Sequence, residues 1–124
     1  MKDAPGIIFI KRAIHDGAIV ISGTLSADYV SADICGIIAK AFEDAALEIN
    51  KSGGVVGHIK AAVKQGTTAM ISVTDEEAMV KPSPVMSAQV TLAAIVFQID
   101  PEEAEEIIRR AMADIRRSLP KNAT

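Results

Sequence analysis

A chain of 124 residues with 49% hydrophobic and 23% charged side chains suits one packed domain over residues 1–124 and is too apolar for disorder. Its net charge of −3 supplies no basic field to collect phosphates, which argues against nucleic-acid binding by bulk electrostatics. No run reaches the roughly 20 apolar residues of a membrane helix, and the single cysteine, Cys35, excludes an intrachain disulfide.

The opening Met1-Lys2-Asp3-Ala4-Pro5-Gly6 carries no signal-peptide pattern, so a cytoplasmic location is expected. With three Phe, one Tyr and no Trp, the core must be built from Ile, Val, Ala and Met. Such side chains allow close packing of helix on sheet but offer few aromatic anchors for bases or sugars.

Ile7 to Ile14 is rich in β-branched residues, as is Ala18 to Gly23. His15-Asp16-Gly17 between them is a turn signal, so a β-hairpin is predicted. Ser26 offers a capping hydroxyl, with Asp28 favourably placed near a helix N-terminus. From Ala27 to about Lys51, Val30, Ile34, Ile37, Ile38, Ala41, Ala45 and Ile49 recur at the helical period. A helix is expected there, ended by Ser52-Gly53-Gly54. Cys35 and Gly36 would lie inside it, the cysteine as a buried, inert thiol.

The next stretch, Val55 to Lys64, fits a helical face and also alternates strictly. Gln65-Gly66 follows as a two-residue separator, and Thr67 to Asp75 reads as a strand. Two β-type runs around a glycine favour a hairpin, which makes 55–64 a strand. Glu76 to Ser87, with Pro82 and Pro84, reads as a loop. Ala88 to Ile99 is a long apolar strand for the centre of a sheet. Asp100-Pro101-Glu102-Glu103 signals a helix start, Ala104, Ile107, Ile108, Ala111, Ile115 and Leu119 supply its buried stripe, and Pro120 stops it. Arg109, Arg110, Arg116 and Arg117 are expected to pair with the acids along that helix. Lys121-Asn122-Ala123-Thr124 is expected to fray.

The resulting order, ββαβββα, predicts an α+β fold: a five-stranded, mainly antiparallel sheet with two helices on one face. The other face would be apolar and covered by a second copy, giving a homodimer or larger oligomer.

Candidate chemistry centres on Gly53-Gly54-Val55-Val56-Gly57-His58-Ile59-Lys60. On a strand, His58, Lys60 and Lys64 share one face, with successive same-face residues about 7 Å apart. Lys60 and Lys64 would hold a small anion, with Gly54 and Gly57 letting it approach the backbone. His58 would move a proton, and the hairpin register would bring Asp75 beside it. The bland alternative is a solvated edge strand whose lysines discourage aggregation.

The glycines do not form a phosphate loop, because no Lys-Ser/Thr pair follows them. Two histidines and one cysteine far apart show no metal-ligand spacing, so no metal or other cofactor is expected. The leading expectation is a small oligomeric ligand-binding or accessory module for an anionic metabolite. The alternatives are an enzyme using His58 and Asp75 on such a metabolite, and a structural subunit that tiles through its sheet.

Overall fold

The computed structural model of the chain describes residues 8–120, with the backbone alone at 68, 70, 74 and 82–84. The opening hexapeptide, Ile7 and the tail from Lys121 lie outside the described residues. The elements are β1 (Ile8–His15), β2 (Ala18–Val30), α1 (Ile34–Lys51), β3 (Val55–Thr74), β4 (Glu77–Phe97) and α2 (Pro101–Ser118). The strands form an antiparallel sheet in the order β1-β2-β4-β3. This is the expected α+β architecture, with four strands in place of five and the order ββαββα.

The first hairpin turns where the sequence places it. Asp16 and Gly17 both take positive φ, 50° and 82°, the twist that matches flanking strands. β2 then alternates along its whole length, with Ile19, Ile21, Leu25, Ala27 and Tyr29 buried. The helix expected from Ala27 is corrected here. Ala27 and Tyr29 pair with Ala88 and Met86 of β4, and a helical course would strip both of their cover. The chain turns at Ser31 (φ 43°), and Asp33, not Ser26, caps α1 by accepting the Gly36 N–H at 3.1 Å. A Cβ on Gly36 would collide with that carboxylate, which explains the glycine better than helix packing does. Cys35 is thereby exposed in the first turn of α1, not buried mid-helix.

β3 is a strand through 55–64, as expected, but it does not turn at Gln65-Gly66. Gln65 and Gly66 pair with Ala88 and Ser87, and the strand runs on to Thr74. The hairpin closes at Asp75-Glu76 (φ 53° and 71°), a turn of the same positive-φ kind without a glycine. The loop expected over 76–87 is instead the first half of β4. Its prolines are tolerated because β2 stops at Val30, opposite Val85, so beyond that point this edge of β4 has no neighbouring strand among the described residues. The register also slips between Thr67 and Ala69, where a proline need not donate to the ladder.

Because Glu76 holds a left-handed conformation that costs a side chain about 1 kcal/mol, Glu76→Gly is expected to steady this hairpin tip. Amide hydrogen exchange of residues 69–81 should slow about two- to fivefold, after allowance for glycine's greater freedom in the open chain. Unchanged or faster exchange would refute a strained turn.

Asp100 caps α2 through the Glu103 N–H at 3.3 Å, Pro101 opens the helix, and its buried stripe is the expected one with Met112 added. The helix ends at Ser118, and the Val30 N–H donates to the Pro120 carbonyl at 2.9 Å. Arg109 pairs with Glu105 at 2.8 Å, Arg117 with Asp114, and Arg110 reaches Glu48 of α1 at 3.3 Å. Arg12 of β1 reaches Glu105 at 3.1 Å, tying the sheet edge to α2.

Both helices cover one sheet face and pack against each other, closing a core of Ile, Val, Leu, Ala and Met with Tyr29. Their placement is crossed. α1, which follows the β1–β2 hairpin, lies over β3, whereas α2, which follows the β3–β4 hairpin, lies over β1 and β2. Among the described residues, no helix is long and apolar enough to cross a membrane.

Candidate functional site: the open sheet face

The register fixes which residues share the face away from the helices. His58, Ile95, Val20 and Ala13 form one cross-strand row. Lys60, Ala93, Ser22 and Lys11 form the next, then Ala62, Thr91, Thr24 and Phe9. Lys64, Gln89 and Ser26, then Gly66, Ser87 and Asp28, complete the body of the sheet. The expected apolar outer face is therefore corrected in part: Val55, Phe97, Ile95 and Val20 gather at one end and Phe9 stands on the β1 edge, while small, hydroxyl-bearing, amide or charged side chains take the rest. The reason lies in β2 and β4, whose inward positions hold most of the large aliphatics: Ile19, Ile21, Leu25, Val90, Leu92 and Val96.

Lysines rim this floor. Lys60 and Lys64 stand on edge strand β3 and Lys11 on the opposite edge strand, all exposed. Three strand spacings separate Lys60 from Lys11, about 14 Å between backbones. Four-carbon stems let both ammonium groups lean over Ala93 and Ser22 between them. Two depressions mark the floor. One, of about 500 Å³, is lined by Ser26, Asp28, Lys64, Gly66, Ser87 and Gln89. The other, of about 360 Å³, is lined by Phe9, Lys11, Ser22, Thr24 and Thr91. In the body of the sheet the described ionisable residues of this face are Lys11, His15, His58, Lys60 and Lys64 against one carboxylate, Asp28. The chain's net charge of −3 thus conceals a segregation: acids crowd the helices, and this face is cationic.

The residues singled out in the sequence divide. His58, Lys60 and Lys64 do share a face, the side away from the helices. Asp75 does not join them. The juxtaposition with His58 needed a turn at Gln65-Gly66; in the continuous strand, 17 residues separate the two, on the order of 55 Å of extended chain. Gly54 is buried, whereas Gly57 is exposed at the register shift between Val56 and His58. A Cβ on Gly54 would meet Ile49 Cγ2 at 2.9 Å and Ile99 Cβ at 3.0 Å, and one on Gly57 would meet the Ile95 carbonyl oxygen at 3.0 Å and Phe97 at 3.1 Å. The protein's own atoms take that space.

Lys11, Ser22, Ser26 and Gln89 of this face escape sequence reasoning, because only the long-range register of β1, β2 and β4 brings them beside Lys60 and Lys64. The alternation of Ser22, Thr24, Ser26 and Asp28 with apolar residues was the available signal. Among the described residues, no three of His, Cys, Asp and Glu cluster closely enough to hold a metal ion. No protein-family profile, curated protein or solved structure matches the chain.

Proposed function

We propose that the protein is a small cytoplasmic binding module that holds an organic anion on its open sheet face. Lys60 and Lys64 grip it from one rim and Lys11 from the other, and the hydroxyls of Ser22, Thr24 and Thr91 orient it. The observation that carries this reading is the cationic, hydroxyl-floored face on an otherwise acidic chain. The rim spacing favours ligands with two or more separated acidic groups over a single carboxylate. Within one chain His58 and Asp75 stand at opposite ends of β3, which favours binding over the enzymatic alternative that needs them side by side.

The test is calorimetric titration and thermal shift with citrate, inorganic pyrophosphate and acetate. A multivalent anion should raise the melting temperature, and Lys60→Ala or Lys11→Ala should each weaken its binding about tenfold or more, the scale of a lost charged hydrogen bond. Lys40→Ala, on the exposed face of α1, should leave binding unchanged. Equal binding by all three variants, or no binding of any multivalent anion, would end the proposal.

A further inference from the structure

β3 is an edge strand of 20 residues, and its outer side has no neighbour among the described residues. Its last third, paired only with the start of β4, projects past the helices as a two-stranded arm. On the helix-side face of that arm Ile71 is 70% exposed, Val73 67% and Val80 65%. A long edge and an uncovered apolar ribbon are both hazards that folded proteins ordinarily suppress.

The pattern along β3 is self-complementary about Gly66. Counting outward, Val63 matches Ala69, Ala61 matches Ile71, and Ile59 matches Val73. All six lie on the helix-side face, where Ile59 and Val63 are only half-buried. On the other face Lys60 matches Ser72, so like charges do not meet. At the ends the matching is electrostatic: the arm tip carries Asp75 and Glu76, and the positions opposite them, Gly57 and Val56, lie beside His58, with Lys60 one same-face position further on.

We infer that β3 pairs antiparallel with β3 of a second copy, across a two-fold axis at Gly66. The pairing joins two four-stranded sheets into one of eight strands, with all helices on the same side. Each arm lies beside the body of the other copy, so Ile71 and Val73 fall next to Ala61 and Ile59 of the second copy, under its α1. Residues 59–73 of each chain supply roughly 50 Å of new ladder. The tip acids then sit against the basic stretch of the second copy, which fixes the register and the antiparallel sense. The pairing shares Lys60 with the anion site but is read separately from it, since Lys11→Ala should weaken anion binding and leave the dimer intact.

Sedimentation of the full chain should give a species of twice 13.1 kDa. Asp75→Lys with Glu76→Lys should weaken the dimer at least tenfold, as should His58→Glu with Lys60→Glu. The four changes together should restore it, which no misfolded variant would do. Register is read by cross-linking. A Cβ at Gly66 would meet only Ser87 Oγ, at 3.5 Å, so Gly66→Cys is tolerated. In a Cys35→Ser background it should oxidise to a covalent dimer, while Phe9→Cys on the opposite sheet edge should not. A monomer at tens of micromolar, a dimer that links through position 9 and not 66, or a dimer the four-fold exchange fails to restore would each overturn the pairing.

Discussion

Gly54→Ala should lower the free energy of unfolding by about 2 kcal/mol, within the usual range for overpacking a filled core, and leave anion binding by the open face untouched. Gly54 is buried where α1 gives way to β3. Its N–H donates to the Ile49 carbonyl at 2.9 Å, which holds the backbone in place. An added methyl would lie 2.9 Å from Ile49 Cγ2, 3.0 Å from Ile99 Cβ and 3.1 Å from the same carbonyl oxygen. None of these is the free end of a flexible chain, so the strain cannot be relieved by one rotamer change. Urea denaturation gives the stability and citrate titration the binding. Weakened binding at unchanged stability would return Gly54 to the ligand-approach role its sequence context suggests.

Ile49→Ala should cost more, about 3 to 4 kcal/mol, from lost transfer energy and the cavity left behind. Ile49 is fully buried near the C-terminal end of α1, in the core that the helices share with the sheet. The two changes share an atom pair, since the alanine at 49 lacks the Cγ2 that an alanine at 54 would strike. The double variant should therefore be more stable than the sum of the single costs, by at least 0.5 kcal/mol in a denaturation cycle. Strict additivity would show that the clash at Gly54 lies elsewhere.

The parts of the fold that were legible in the sequence are those decided locally. Asp16-Gly17 carries the residue that a positive-φ turn prefers, and Asp100-Pro101-Glu102-Glu103 carries a cap, a fixed φ and acids facing the helix dipole. The misreadings share one cause. Local chemistry at Ser26, Gln65-Gly66 and Pro82 resembled a cap, a turn and a breaker, while long-range pairing decided otherwise. Ser26 and Asp28 hold strand positions because β4 lies beside them; Gly66 stays extended because Ser87 pairs with it. The true turn, Asp75-Glu76, lacks the glycine that would have announced it. For the site, the strand pattern over 55–64 is enough to put His58, Lys60 and Lys64 on one side. Lys11 and the hydroxyl floor lie up to 82 positions away in sequence from the β4 residues they join, beyond any local pattern.

The crossed helices bear on how the molecule comes apart. Each ββα half sends its helix onto strands of the other half, and β2 and β4 meet across the middle. A half on its own would expose both the apolar stripe of its helix and the apolar side of its hairpin. A form that kept one half native and lost the other would leave that surface bare, so the body is expected to melt in one concerted step. In the single chain the arm beyond Thr67 lies outside that embrace and is expected to open first, and pairing with a second copy is what would hold it.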